Sequence, residues 1–290
     1  MKKVLVTGAH GLLGQSIKSC QNQFLNYHIV FAGRDELNIT FKEKIKDFVV
    51  ENNIDIIINC AAYTNVDGAE IASKKADELN FQAVKNLAEV AKSEGVSLVH
   101  ISTDYVFDGN SKTPYLEADE VNPQNVYGVT KLKGENILKK INPKNSIVIR
   151  TSWLYGEYGH NFVKTMLKLF SERDRIPVVS DQIGTPTYAM DLANTILQIA
   201  SNINCKNVEV YHFTNSGYCS WYEFAKEILM LTKHKCEIKP VTSINYPTEA
   251  RRPKFSLLNT EKIQNEFNIE IPYWKDSLYK CVGALVKSEK

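Results

Sequence analysis

The first half of the chain alternates between two rhythms. Residues 4–6, 28–32, 54–59, 97–102 and 147–150 are short apolar runs of the length and composition expected of strands buried on both faces. Between them, apolar residues recur three and four apart. Leu13, Ile17, Cys20 and Phe24 form one such stripe, Phe41, Ile45, Phe48 and Val49 a second, and Leu79, Ala83, Leu87 and Val90 a third. Each is the stripe of a helix with one buried face. Strand and helix in strict alternation predict an α/β fold, a Rossmann-type doubly wound parallel sheet covered on both sides. After Arg150 the rhythm loosens. Helices are predicted over 161–170, 191–200 and 221–231, a strand over 208–213, and a strand and turn over 178–186, followed by a basic turn at 250–253 and a helical tail. The predicted division is a dinucleotide-binding domain of residues 1–151 plus about 187–215, and a smaller C-terminal substrate-binding domain of 152–186 plus about 216–290.

Chemistry gathers where the predicted strands end, the side of a parallel sheet that faces a ligand crevice. The first strand runs into Gly8-Ala9-His10-Gly11-Leu12-Leu13-Gly14 and then a helix. Small residues there let the backbone approach a pyrophosphate at a helix N-terminus; a plain tight turn is the alternative. The third strand ends in Asn59-Cys60-Ala61-Ala62, whose small side chains leave room for a cofactor, and Tyr63-Thr64-Asn65-Val66-Asp67 reads as a loop above it. The second ends in Ala32-Gly33-Arg34, with no carboxylate before Asp35. Arg34 suits a ribose 2′-phosphate, so NADPH is expected to be preferred and NADH tolerated, although Asp35 and Glu36 stand close by. Ser102 and Thr103 end the fourth strand, as hydroxyl donors to a substrate carbonyl or as caps of the strand end. Tyr127 and Lys131 lie one helical turn apart in Tyr-Gly-Val-Thr-Lys. A neighbouring ammonium lowers a phenol's pKa, which would make the pair an acid tuned for an alkoxide; a surface pair is the other reading. Asn80, beside the third stripe, either ties down backbone or helps to place the lysine.

Composition narrows the partners. The 290 residues carry a net charge of +2 and an ordinary apolar fraction, which gives no sign of nucleic acid or membrane as a partner. The six cysteines form no CxxC and no zinc-ligand spacing with histidine, as in a reduced, cytoplasmic protein. No signal-peptide pattern opens the sequence and no run is long enough for a membrane span.

Taken in order, the glycine turn, the Asn-Cys-Ala-Ala and Ser-Thr-Asp strand ends and the Tyr-x-x-x-Lys pair resemble the extended short-chain dehydrogenase/reductases. Residues 61–67 (AAYTNVD), 102–107 (STDYVF), 150–156 (RTSWLYG) and 181–187 (DQIGTPT) resemble more narrowly the dTDP-4-dehydrorhamnose reductase family. The resemblance covers nearly the whole chain. It implies an oxidoreductase in which hydride from NADPH reduces the C4 ketone of dTDP-4-dehydro-L-rhamnose. Catalysis would fall to Thr103, Tyr127 and Lys131. The cofactor would lie against Gly8, His10, Gly11, Leu12, Leu13, Gly14, Arg34, Asn38, Ile39, Cys60, Ala61, Ala62, Tyr63, Asn80 and Ser102, as well as Tyr127 and Lys131. The dTDP-sugar would meet Val66, Thr103, Asp104, Tyr105 and Trp153, with Arg252 at its anionic nucleotide end. From the residues alone, Trp153 also reads as a core aromatic and Arg251-Arg252 as a solvated pair. Two positions depart from the pattern. Asn38 replaces an aspartate common near the adenine pocket. Gln15 is neutral where some members carry a glutamate tied to metal-assisted dimerisation, so no metal is expected and a homodimer stays open. The rival expectations are an epimerase or dehydratase of the same fold and a non-catalytic regulatory homologue. The dehydratases carry Asp-Glu after the strand-end threonine, where this chain has Asp104-Tyr105.

Overall fold

The computed structural model describes residues 1–288. Six strands, β1 (Lys2–Thr7), β2 (Tyr27–Ala32), β3 (Ile56–Asn59), β4 (Ser97–Thr103), β5 (Ile147–Thr151) and β6 (Glu209–His212), form one sheet in the order β6-β5-β4-β3-β1-β2. Every pairing in it is parallel. The order reverses beside β1, so β1, β3 and β4 send their carboxyl ends into one crevice. Residues of alternating parity along the strands feed two cores. Val4, Val6, Ile56, Ile58 and Val99 pack with the helices Leu12–Cys20 and Ala189–Ile199. On the other face Leu5, Ile57, Leu98 and Val148 pack with Ala83–Glu94. Burial on both faces accounts for the unbroken apolar runs in the sequence.

Local structure departs from the sequence reading in two places that matter. The stretch taken as a loop at 63–67 contains a helix start: the Asn65 side chain accepts from Gly68 N–H at 2.9 Å and caps the helix Val66–Ile71. The long third helix is broken into Ser73–Asp77, a π turn at Glu78–Gln82, and Ala83–Glu94. The π turn lets the Asn80 carbonyl approach the helix Val126–Ile141 so closely that a Cβ at Gly134 would sit 2.3 Å from it. Only glycine fits there.

The later chain builds a separate apolar cluster. Tyr155, Val163, Met166 and Tyr188 pack with Phe224, Ile228, Trp274 and Leu278. Its helices begin with side-chain caps, Asn161 on Phe162–Glu172 and a Ser220/Glu223 capping box on Trp221–Met230. The helix Glu261–Phe267 does not join this cluster. Its Ile263 is buried in the same core as the helices Leu12–Cys20 and Ala189–Ile199, and its Phe267 meets Tyr211 of β6 edge-on. Among the described residues, no helix is long and apolar enough to cross a membrane.

Candidate active site

Two hollows open at the carboxyl ends of the strands and share Gly11, Cys60, Ala61 and Ala62 as a common wall, so they form one trough. The first, about 340 Å³, is lined by Gly8, His10, Gly11, Arg34, Asn38 and Ile39. The second, about 540 Å³, is lined by Leu12, Leu13, Val66, Ser102, Thr103, Asp104, Tyr105, Tyr127, Lys131 and Trp153. The sequence is thus folded so that the residues singled out for cofactor, catalysis and sugar line one continuous surface. Gly14, Tyr63, Asn80 and Arg252 lie outside that lining.

The shared wall is held by fixed contacts. Gly8 adopts φ +67°, and a Cβ on it would lie 2.6 Å from Ala61 N; the backbone of β1 and the end of β3 meet with only hydrogen between them. Asn59 locks this junction. Its Oδ1 accepts from Thr7 Oγ1 at 2.7 Å and Ala61 N–H at 3.2 Å, and its amide lies 3.0 Å from His100 Nδ1. The helix Leu12–Cys20 starts at Gly11 with no side-chain cap, leaving first-turn N–H groups to meet an anion at the positive end of the helix dipole. The glycine cradle and this helix end fit the pyrophosphate of a dinucleotide. Farther out, Arg34 is exposed and lines the hollow. Glu36 accepts from Gly33 N–H at 2.8 Å and stands 3.6 Å from His10 Nε2. Hydrogen bonds from its own backbone N–H, that of Gly33 and His10 hold its carboxyl below the usual range. Asn38 Oδ1 accepts from the Thr40 N–H and hydroxyl, closing a local turn.

At the centre, Asn125 caps the helix Val126–Ile141, accepting from Gly128 N–H at 2.8 Å. The cap sets Tyr127 at the cleft and Lys131 one turn deeper. The expected ammonium–phenol partnership is not what this geometry provides. Lys131 Nζ donates to the Ile101 carbonyl at 2.6 Å. Burial pushes the lysine down to about 8, against the upward pull of Glu135. Tyr127 is pushed up, not down, chiefly by burial, with a hydrogen bond to Thr103 opposing and the Asp104 charge adding. Its acidity is therefore set chiefly by its burial in this arrangement, and not by the lysine. Asn80 ties down the Tyr63 backbone and also holds the helix at Thr130, the residue before Lys131. It accepts from Tyr63 N–H and donates to the Tyr63 carbonyl and to Thr130 Oγ1, at 2.9 to 3.1 Å.

Successive strand residues point to opposite faces, and this separates Ser102 from Thr103. The Thr103 hydroxyl faces the cleft and donates to Asp104 Oδ1 at 3.0 Å. The Ser102 hydroxyl faces inward and donates to Glu135 Oε1 at 2.5 Å. Its proton is thus committed to a buried carboxylate and not aimed at the cleft, while the residue itself lines the hollow. Glu135 is also paired bidentately with Arg150, the closest contact 2.7 Å, and both are essentially inaccessible to solvent.

On the sugar side, Trp153 takes φ +48° and stacks on Trp221, ring centroids 3.5 Å apart and planes 9° from parallel. Sequence reasoning missed Trp221. The short antiparallel pairing of Cys219 with Gly184 and Ser220 with Ile183 carries it there, a contact no periodicity announces. His160 and Gly159 join the same lining, also unforeseen. Arg252 is paired within the protein. Its guanidinium forks onto Asp67, at 2.7 and 3.0 Å, and the Asp67 carboxyl is held low by that bond.

A trough with this order of parts can be compared with known proteins. The model of the RmlD substrate binding domain matches residues 1–286. The chain belongs to that family. A dTDP-4-dehydrorhamnose reductase of Aggregatibacter actinomycetemcomitans is 40% identical over 287 residues, covering 96% of this chain and 97% of the relative. The crystal structure of a dTDP-4-dehydrorhamnose reductase from Clostridium acetobutylicum superposes with a TM-score of 0.92 at 42% identity, covering 98% of this chain and 99% of that one. A Bacillus anthracis dTDP-4-dehydrorhamnose reductase in complex with NADP gives 0.92 at 38% identity over 98% of this chain and 100% of its own. Family membership, fold and trough therefore agree along the whole chain.

Proposed function

We propose that this RmlD-family chain is a dTDP-4-dehydrorhamnose reductase, an NADPH-dependent oxidoreductase that converts dTDP-4-dehydro-L-rhamnose to dTDP-L-rhamnose in polysaccharide precursor synthesis. The observation that carries the reading is the convergence of Thr103, Tyr127 and Lys131 on one cleft continuous with the glycine cradle. Bound NADPH supplies hydride to the C4 carbon of the sugar. Gly8, Gly11 and the first turn of Leu12–Cys20 hold the pyrophosphate, and Arg34 meets the 2′-phosphate. Thr103 and Tyr127 hold the C4 oxygen, and the Tyr127 phenol protonates the alkoxide as it forms. Lys131, cationic and anchored on Ile101, fixes the nicotinamide ribose. Trp153 and Trp221 make an apolar wall for the sugar ring. The sheet with its two cores acts as the dinucleotide domain. The cluster around Tyr155 and Phe224 acts as the substrate domain, with Glu261–Phe267 belonging structurally to the former. The enzyme works in the cytoplasm, with no nucleic-acid or membrane partner in the reaction; a homodimer is compatible with it.

The test is NADPH oxidation with dTDP-4-dehydro-L-rhamnose and identification of the product. Ketosugar-dependent loss of NADPH with formation of dTDP-rhamnose supports the reading. A protein purified with stoichiometric, non-exchanging NAD that consumes no NADPH is an epimerase or dehydratase instead.

A further inference from the structure

Thr7, Asn59 and His100 stand at one level of the sheet. Thr7 pairs in register with Asn59, and Asn59 with His100, so the three side chains lie side by side on β1, β3 and β4. One level down, the same face carries Leu5, Ile57 and Leu98, all in the apolar core. The polar row above them is equally buried, so its hydrogen bonds have to be made within the protein.

Those bonds fix one another's direction. Asn59 Oδ1 accepts from the Thr7 hydroxyl at 2.7 Å and from Ala61 N–H at 3.2 Å. A backbone N–H only donates, so the amide oxygen has to face Ala61 and the amide nitrogen has to face His100. That nitrogen lies 3.0 Å from His100 Nδ1. It too only donates, so Nδ1 accepts, and the imidazole is neutral with its proton on Nε2. Nε2 meets no hydrogen-bond partner among the described residues, which leaves the tautomer to be decided at Nδ1. The surroundings agree with a neutral ring. Its burial and the charge of Lys131, on the helix Val126–Ile141, both hold its pKa well below the ordinary value.

The far end of the row is the wall of the trough. Ala61 lines both hollows, and Gly8 backs onto it so closely that a Cβ there would stand 2.6 Å from Ala61 N. His100 lines neither hollow. With the reductase reading supplying the identity of the cofactor, we propose that His100 is a positioning residue for NADPH. Its Nδ1 sets the sense of the Asn59 amide, and the amide holds Ala61 against the glycine cradle. Without an acceptor at position 100 the amide nitrogen is buried unpaired, and the sense of the amide is no longer fixed. Each reversal sets the nitrogen against Ala61 N–H, donor against donor, and releases the wall.

The experiment compares wild type, His100→Leu and His100→Asn in the full chain. Asn places a carbonyl oxygen where Nδ1 stands; Leu fills the space without an acceptor. Protein carrying isotopically labelled histidine is read by long-range proton–nitrogen NMR at neutral pH, His100 being the ring whose signals both variants lack. The expected ring is neutral and protonated at Nε2. An imidazolium, or a ring protonated at Nδ1, overturns the proposal whether or not the variants fold. In direct titrations His100→Leu should bind NADPH more weakly on the order of 10-fold, as for one buried hydrogen bond left unmade, and His100→Asn should recover most of that loss. In turnover, KM for NADPH should rise in His100→Leu while kcat at saturating NADPH stays near wild type. A lower urea midpoint in His100→Leu with NADPH affinity unchanged means that the ring serves the sheet alone and overturns the proposal, as does His100→Asn binding no better than His100→Leu. Wild type that binds no NADPH overturns the reductase reading and this role together; active wild type with unaltered affinity in His100→Leu overturns the role of His100 alone.

Discussion

The two sides of the trough are built by different means. The cofactor side grows directly from strand ends: Gly8, Asn59, Cys60, Ser102 and Thr103 are all placed by one parallel sheet, and register fixes them relative to each other. The sugar side is assembled from pieces distant in sequence. Trp153 follows β5, Gly184 lies in a two-residue strand, and Trp221 opens a helix of the other apolar cluster. They meet only because that cluster folds. A sheet-borne site should tolerate change in loops but not in the groups under its strands. A site made of remote contacts should respond to a single added methyl.

The largest expected effect falls on the sheet-borne side. Tyr127→Phe removes the proton and keeps the ring, including its edge-on contact with Tyr105 at 5.8 Å. The expected result is a loss in kcat of about 10²–10⁴-fold with NADPH affinity unchanged in a direct binding titration. Near-normal turnover would detach Tyr127 from the chemistry.

Next is the foundation under the same strand end. Glu135→Ala leaves the Arg150 guanidinium buried without its carboxylate and releases the Ser102 hydroxyl. Breaking a buried pair from one side costs about 3–5 kcal/mol, read as a lower urea midpoint. A loss confined to activity, with the midpoint unmoved, would mean that the pair serves the cleft rather than the sheet.

These contrasts also mark what the sequence could disclose. Periodicity found all six central strands and the turn between β1 and its helix, because burial on both faces writes itself as unbroken apolar runs. Thr103 and Tyr127 are brought to one site by the order of motifs that carries the family resemblance, not by periodicity. The strand end reads as offering the Ser102 hydroxyl to that cleft as well, and that hydroxyl is bonded to Glu135 instead. Periodicity missed the role of Glu135, because a charged residue on a helix gives no sign in one dimension of what lies opposite. Trp221 was visible only as a helix start. Its stacking partner lies 68 positions earlier, joined through a two-residue bridge too short to leave a pattern.

A smaller effect tests the outer end of the cofactor side, where the wall gives way to an exposed loop. Arg34→Ala should lower kcat/KM for NADPH by about 1.5–3 kcal/mol, the range for a hydrogen bond to a charged group, and leave NADH nearly unaffected. Glu36, held ionised beside Gly33, works against a 2′-phosphate, so Glu36→Gln should shift the preference further toward NADPH. Equal losses with both cofactors in Arg34→Ala would take the guanidinium out of the site.

The smallest expected effect bears on the sugar side alone. Gly184 lies against the Trp153 indole so closely that a Cβ would stand 2.5 Å from Cε2 and 2.8 Å from Nε1. Trp153 has little freedom to yield. Its backbone is in the left-handed region, its ring is stacked on Trp221, and its carbonyl accepts from Thr187 N–H at 3.2 Å. Trp221 is backed in turn by Phe162 at 4.6 Å. Gly184→Ala must therefore shift the indole pair as a unit, at about 1–3 kcal/mol for an overpacked methyl. The shift acts on the wall and not on the trough beyond it. KM for the ketosugar should rise, near-ultraviolet dichroism from the coupled indoles should weaken, and NADPH affinity should stay as in wild type. Gly184→Ala that weakened NADPH as much as the sugar would show that the two sides of the trough are mechanically one, against the separation drawn from how they are built.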